Sequence, residues 1–234
     1  MLGVSPEALV EADLVLSIVP PANALSFAEQ TAFALKSARR KPVFVDCNAV
    51  NPATVRHIQA VIAATGTEFV DGGIIGFPPV PGTKTGPHVY VSGEQASRVA
   101  VLNDYGLDVR VLDGPVGAAS ALKMAYAGIS KGHIAVMAAM LLAAERSGSS
   151  KALRDELDSS EQALMKTMAR RVPGMFPKAY RWVAEMEEIA EFAREDPAAH
   201  EIWMNIARLY ERLAKDVAGD KTETETLRRF FTER

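Results

Sequence analysis

The chain has 234 residues, of which 48% are hydrophobic and 24% charged, a globular balance that suffices for one large domain or two modest ones. Its formal net charge of −3 excludes a bulk electrostatic attraction to nucleic acid or to an anionic membrane. A lone cysteine, Cys47, excludes an internal disulfide framework, and the N-terminus lacks a signal-peptide pattern, so we expect a cytoplasmic protein.

Residues 1–112 alternate between apolar runs and helical patterns. The first run, LVLSIV at 14–19, has no polar face, which is typical of a parallel strand covered on both sides. Asn51-Pro52 begins a helix, with Asn51 as its N-cap. The alternation predicts right-handed βαβ units in a Rossmann-like parallel sheet with helices on both faces, whose ligands bind at the carboxyl ends of the strands. The predicted strands are 14–19, 43–45, 68–70, 88–92 and 109–112, the predicted helices are 22–39, 52–66 and 94–105, and 72–86 is a predicted loop.

Residues 113–234 predict helices only. The first, within 114–148, is so apolar on most faces that it must be covered by protein. Its longest apolar run, 134–144, has 11 residues, fewer than the ~20 that a membrane span needs, so we expect no membrane insertion. The fold class is thus α/β followed by all-α, with a partial Rossmann-like domain at 1–113 and a helical domain at 114–234. The later predicted helices are 151–171, which Pro173-Gly174 ends, 178–195 and 198–217, followed by a frayed polar end at 222–234.

The glycine-rich turn of a Rossmann domain is missing from the sequence. GxGxxG lets a pyrophosphate approach a helix N-terminus, and an acidic residue about 20 positions later holds the ribose. Neither occurs here, so we expect the chain to start inside such a domain, after its first two βα units.

Lys123 lies on the only polar stripe of the first half of the long helix. A lysine packed beside apolar groups can serve as a general acid or base. The alternative is a solvated stripe whose charges extend into water. The stripe consists of Ser120, Lys123, Tyr126, Ala127, Ser130 and Lys131.

Five segments, spread over most of the chain, resemble the β-hydroxyacid dehydrogenase superfamily, which includes the 6-phosphogluconate and 3-hydroxyisobutyrate dehydrogenases. The resemblance is closest to the branch whose C-terminal helical domain is named after phosphogluconate dehydrogenase and whose substrates are often unassigned. The segments are DLVLSIVPP (13–21), FVDCNAVNPATV (44–55), VDGGIIGFPP (70–79), GAASALKMAYAGISKG (117–132) and KAYRWVAEMEEIA (178–190).

This resemblance implies an enzyme that uses NAD or NADP. Lys123 would exchange a proton with the hydroxyl group of a small hydroxy acid or alcohol while a hydride moves to or from the cofactor. Gly117 and Lys123 match the glycine and lysine of the catalytic helix. The asparagine that often follows the lysine by one turn is here Ala127, so Tyr126 or Ser130 would have to anchor the substrate.

The resemblance also assigns the binding loops. Val19, Pro20 and Pro21 match a loop along the cofactor, and Asn48-Ala49 matches the loop near the nicotinamide ribose. Cys47 beside that loop is expected to be a small buried residue. Lys178 matches a lysine that reaches the cofactor side of the site from the helical domain. The resemblance assigns four residues to the substrate and implies that their pocket is apolar: Gly73, Ile75, Gly76 and Tyr126.

Two hypotheses follow. The first is an NAD(P)-dependent oxidoreductase whose affinity for the cofactor is weak or absent in this chain. The second is a truncated, inactive family member that keeps only the helical dimerisation domain. Under both hypotheses we expect a homodimer through the helical domain, no metal site and no nucleic-acid or membrane partner.

Overall fold

A computed structural model describes residues 9, 11–80 and 86–232 of the chain. A first unit ends at Tyr126 and a second begins at Ala127, within the longest helix. The sequence predicted the domain boundary between 113 and 114 instead, which would assign the whole helix to the second domain. That boundary stays a prediction.

The described part of the first unit contains one sheet in which strand order follows chain order. Its strands are β1 (Leu14–Ser17), β2 (Val43–Asp46), β3 (Glu68–Ile75), β4 (His88–Ser92) and β5 (Asp108–Val111). The connecting helices are α1 (Ala24–Lys36), preceded by a 3₁₀ turn at Pro21–Asn23, α2 (Pro52–Ala63), and a 3₁₀ helix at Ala96–Tyr105 where the sequence predicted an α-helix.

The prediction of an entirely parallel sheet is wrong at one pairing. β1–β2, β2–β3 and β4–β5 are parallel, whereas β3 and β4 are antiparallel. A parallel pair needs a crossover connection, usually a helix, but β3 and β4 are joined by a Gly/Pro-rich segment that allows a direct return. Residues 81–85 of that segment, part of the predicted loop, lie outside the described residues.

β3 is also longer than expected, because the strand continues through residue 71 into residues 72–75 of the predicted loop. The pair Gly72-Gly73 is typical of loops, and for this reason the sequence predicted a loop here. The ladder to β4, which runs from Asp71 opposite Ser92 to Ile75 opposite His88, keeps it extended.

Two apolar layers cover the sheet. One face packs against α1 and α2 through Val15, Phe44 and Phe69. The other face packs against the 3₁₀ helix through Val45, Val70 and Val91. The expected helical cap of α2 is confirmed, since Asn51 Oδ1 accepts hydrogen bonds from the backbone N–H groups of Ala53 (2.8 Å) and Thr54 (3.1 Å).

After β5 the described residues, which end at 232, form helices and no strand, as predicted. The expected single helix at 151–171 is two helices, broken at Glu161, and the second continues through Pro173 into its last turn. The described helices are α3 (Ala118–Arg146), α4 (Ser150–Ser160), α5 (Gln162–Met175), a 3₁₀ turn at Phe176–Lys178, α6 (Ala179–Phe192), α7 (Pro197–Ala218) and α8 (Thr222–Thr232).

The expectation of a frayed end is wrong for residues 222–232, which form α8. Asp216 accepts hydrogen bonds from the N–H groups of Glu223 (3.0 Å) and Thr224 (2.9 Å). Partial burial opposes ionisation of Asp216, but these bonds outweigh it and lower its pKa. Leu227 and Phe230 are buried, so packing as well as capping holds the helix.

Among the described residues, α3 alone is long and apolar enough to cross a membrane by length and composition, and 56% of its most apolar window is buried. Core helices of soluble proteins share these properties. In the second unit Lys131 of α3 forms an ion pair with the buried Glu185, and its ammonium lies 5.2 Å from the ring centroid of Trp182. This part of the polar stripe is therefore not simply solvated.

Candidate functional site

Neighbouring strands of the sheet carry buried polar residues in one row. Ser17 lies opposite Asp46, and Asp71 lies opposite both Asp46 and Ser92. Residues in register point to the same face of a sheet. Each of these four side chains, which we call the polar row, is at most 1% exposed.

Asn48 joins the ends of β1 and β2. Its Oδ1 accepts a hydrogen bond from the N–H of Val19 at 2.7 Å. Its Nδ2 donates to Ser17 Oγ at 2.8 Å and to Asp46 Oδ1, so both amide hydrogens are used within the protein. Asn48 is 3% exposed. The two predicted cofactor loops do meet, but the Asn48 side chain holds them together rather than facing outward.

Asp46 is the most perturbed acid of the polar row. Burial raises its pKa from the ordinary 3.8 to about 7; the hydrogen bond from the Asn48 amide opposes the rise, and the charge of Asp71 adds to it. Its Oδ2 is buried with no hydrogen-bond partner among the described residues. Burial, with a smaller effect from Asp46, also raises the pKa of the Cys47 thiol to about 12, so this cysteine is the buried residue that was expected.

Lys123 lies against the far end of β3. Its Nζ donates a hydrogen bond to the carbonyl oxygen of Ile74 at 2.6 Å, and the side chain is half-buried. Gly73 makes this approach feasible, because a Cβ there would lie 2.9 Å from the Ala119 carbonyl oxygen and 3.2 Å from Lys123 Cβ. The strand and the first turns of α3 therefore touch through backbone, with the lysine directed along the strand end.

The other predicted residues differ in exposure. Of the cofactor set, Pro20 is exposed, whereas Val19, Pro21 and Ala49 are half-buried. Of the substrate set, Gly73 and Ile75 are buried, whereas Gly76 and Tyr126 are exposed. Lys178 lies in the second unit, so its part in a shared site stays a prediction.

The sequence analysis missed the polar row, although a signal was present. In VFVD and HVYVS an apolar run ends on Asp46 or Ser92, and Ser17 is the one polar residue within the run LVLSIV. A buried polar residue must find a hydrogen-bond partner, so this repeated ending predicts a shared network. The acceptor of Lys123 is a backbone carbonyl, and no residue type could have identified it.

A nicotinamide cofactor fits these residues only in part. The strand ends at Val19–Pro21 and Ala49 are exposed or half-buried, but the Asn48 amide and the Val19 N–H are already engaged with each other and with Ser17. The 234 residues hold no GxGxxG turn to receive a pyrophosphate. A cavity of about 470 Å³ in the first unit does not supply that place, since Arg56, Glu68 and Glu94 are among its lining residues and none of the predicted site residues is.

Residues 144–213 match a family model described as a domain of unknown function, DUF1932. An uncharacterized 28.5 kDa protein encoded in the 5′ region of the 7S RNA of Methanothermus fervidus is 29% identical over 181 residues, which cover 77% of this chain and 67% of that protein.

Solved structures resemble the chain over almost its full length. MTH1747, a conserved protein of unknown function with structural similarity to 3-hydroxyacid dehydrogenases, superposes with a TM-score of 0.66 at 27% identity, covering 92% of this chain and 80% of that one. The 3-hydroxyisobutyrate dehydrogenase of Mycobacterium tuberculosis gives 0.64 at 21%, covering 95% and 82%. A reductive aminase from Aspergillus terreus, solved with NADPH and ethyl-5-oxohexanoate, gives 0.50 at 18%, covering 90% and 76%.

The chain therefore has the fold of the 3-hydroxyacid dehydrogenases, and the resemblance in its sequence is confirmed. The DUF1932 match lies entirely within the helical part of the chain.

Proposed function

We propose that the chain is an NAD(P)-dependent oxidoreductase of the hydroxyacid dehydrogenase type, in which Lys123 is the acid/base for the hydroxyl group of a small hydroxy acid or alcohol. The observation that carries the proposal is the half-buried lysine at the end of β3, with Nζ held 2.6 Å from the Ile74 carbonyl oxygen. A general acid or base must be held in a fixed direction, and this hydrogen bond fixes that of the amine.

The residues around Lys123 define where a substrate would lie. Gly76 is exposed just beyond the end of β3, Gly73 and Ile75 lie buried within that end, and exposed Tyr126 lies one helical turn after the lysine. We assign these four residues to the substrate side, with a hydroxyl or ketone oxygen next to Lys123 Nζ. The nicotinamide supplies or accepts the hydride, while Lys123 holds or releases the proton.

We assign to the nicotinamide side the backbone of Val19, Pro20, Pro21 and Ala49. The side chain of Asn48 joins the two loops through its hydrogen bonds to Val19 and Ser17. Lys178 is assigned to the same side from the helical unit. Pyrophosphate contacts are charge-assisted hydrogen bonds worth about 1.5–3 kcal/mol each. Because the sequence has no turn that makes them, we propose that this chain binds NAD or NADP weakly.

The activity test is a screen of small hydroxy acids and alcohols with millimolar NAD or NADP, which compensates for weak binding. We expect slow, substrate-dependent reduction of the nicotinamide. Failure of every substrate to reduce either cofactor, with folded protein and with the reverse reaction also absent, would favour the inactive alternative. In that case the helical unit and its dimer would be what the chain retains.

Isothermal titration of the wild-type chain with each cofactor tests the affinity separately. We expect dissociation constants above the micromolar range. Micromolar binding would contradict the assignment of weak affinity, and it would mean that other residues take the place of the glycine-rich turn.

A further inference from the structure

The N-terminus of α3 is capped by side chains of the sheet rather than by the residues that directly precede the helix in sequence. The first N–H groups of a helix have no partner within it, and a Ser, Thr, Asp or Asn just before the helix usually supplies one. Here Gly117 precedes the helix and has no side chain. Asp71 Oδ2 instead accepts from the N–H groups of Gly117 (2.9 Å) and Ser120 (3.0 Å), and Asp71 Oδ1 accepts from Ser120 Oγ (2.6 Å).

Ser92 completes this cap from the neighbouring strand. Its Oγ accepts a hydrogen bond from the N–H of Ala119 at 3.0 Å and donates one to Asp71 Oδ2 at 2.9 Å. Two residues of the polar row therefore satisfy three backbone donors of the helix start. Both side chains are fully buried, so water does not compete for these bonds.

The same strand then positions the lysine. Asp71 holds the helix start, Gly73 leaves room for Ala119 and Lys123, and the Ile74 carbonyl receives Lys123 Nζ. Lys123 lies three residues after Ser120 and four after Ala119, so it stands on the same face as the capped groups. A movement of the first turn must therefore move the amine.

We infer that Asp71 and Ser92 are positioning residues for Lys123, acting through the cap of α3. The inference rests on the proposed function for the role of Lys123, but the coupling between cap and lysine does not require activity. Displacement of a catalytic group by about 1 Å can cost on the order of a hundredfold in rate, so a cap of this kind has a direct catalytic consequence.

The other end of the polar row supplies a matched control. Ser17 is buried like Ser92 and accepts one hydrogen bond from Asn48, but within the part of the chain that the structure describes it makes none to α3. Ser92→Ala and Ser17→Ala each remove one buried hydroxyl group. If Ser92 has only a structural role, Ser92→Ala and Ser17→Ala should change the residues that contact each serine and should affect Lys123 to the same extent.

The experiment compares Ser92→Ala, Ser17→Ala and wild type in the full chain. Amide hydrogen exchange of Ala119 and the methylene resonances of Lys123, assigned with Lys123→Arg, are measured by NMR without cofactor. We expect Ser92→Ala to speed exchange at Ala119 at least tenfold and to shift the Lys123 resonances, and Ser17→Ala to leave both unchanged. Ser120→Ala, which removes one bond to Asp71 but keeps a good helix former, is the milder variant if Ser92→Ala does not fold.

Equal effects of Ser92→Ala and Ser17→Ala on the Lys123 resonances, or no effect of either Ser92→Ala or Ser120→Ala, would overturn the inference. In an active chain, Ser92→Ala must also lower kcat more than Ser17→Ala does. If the chain shows no dehydrogenase activity but the Lys123 resonances respond to Ser92→Ala alone, the proposed function fails and the positioning role stands.

Discussion

At the scale of a single residue, Asp46 makes the free energy of unfolding depend on pH. Its pKa rises from 3.8 to about 7 on folding, so the folded state binds more protons than the unfolded state between these values. The contribution of Asp46 to the free energy of unfolding is fully present below the unfolded pKa of 3.8 and is lost as pH rises through about 7. The loss is on the order of 4 kcal/mol. Urea unfolding across this pH range should show Asp46→Asn lacking that slope.

Exposed Asp104 supplies the control for this prediction, because Asp104→Asn removes a carboxylate outside the polar row. The chain with Asp104→Asn should keep the slope that Asp46 causes. Carboxylates whose pKa is lowered, such as Asp216, contribute with the opposite sign, so the difference between variant and wild type is the relevant quantity. An Asp46→Asn profile parallel to that of wild type would contradict the prediction.

Residue type identified some parts of the site and not others. Asn51-Pro52 predicted a helix cap correctly, since that bond is local in sequence. Asp71 was given no role beyond its place in the matched segment 70–79, because its partners in α3 are 46 and 49 positions away. Asn48 was expected to face the cofactor, yet its partners Ser17 and Val19 come from another strand end. Long-range polar networks depend on strand register, which one sequence does not display.

At the scale of the element, α3 and α7 approach each other closely at two glycines. A Cβ at Gly132 would lie 2.6 and 2.7 Å from ring atoms of Trp203, and one at Gly128 3.2 Å. Gly132→Ala should therefore push the indole away and destabilise the helical unit by about 1–3 kcal/mol. Thermal unfolding followed by Trp fluorescence measures both effects.

Gly174 is the matched control for that substitution. It also lies within a helix, but a Cβ there would meet nothing within 4 Å. Gly174→Ala should be neutral or stabilising by up to ~1 kcal/mol, because alanine is the better helix former. If Gly132→Ala were as mild as Gly174→Ala, the close packing on Trp203 would not contribute as described.

The elements themselves were largely predictable, and the errors have physical causes. Gly72-Gly73 is typical of a loop, but pairing with β4 and contact with α3 keep it extended. The break at Glu161 follows two serines, and Ser160 Oγ donates to the Glu156 carbonyl at 2.9 Å, the kind of side-chain bond that competes with helix continuation. Pro173 was expected to end α5, but it lies in the last turn, between buried Val172 and Met175.

At the scale of the whole molecule, α3 carries an exposed apolar stripe that fits a second copy of the chain. Ile129, Val136 and Met140 are 77%, 58% and 58% exposed, and their spacing places them on one seam of the helix. We propose a homodimer through this seam, in accord with the expectation from the family resemblance. Sedimentation should show a dimer at micromolar concentration that Ile129→Glu converts to a monomer.

Val101, exposed in the first unit, provides the control, because Val101→Glu adds the same charge away from the seam and should leave the dimer intact. A wild-type chain that sediments as a monomer at that concentration would contradict the proposal. Binding to lipid vesicles instead would assign the stripe to a membrane surface.

The central claim is that Lys123 transfers the proton in a nicotinamide-dependent oxidoreduction. The most direct measurement is the kcat of Lys123→Ala relative to wild type, at saturating cofactor and with the best substrate of the screen. Exposed Lys36→Ala serves as the control. Loss of a positioned general acid or base predicts a fall of about 10²–10⁴-fold for Lys123→Ala and none for Lys36→Ala. Equal kcat values for Lys123→Ala and wild type would contradict the claim.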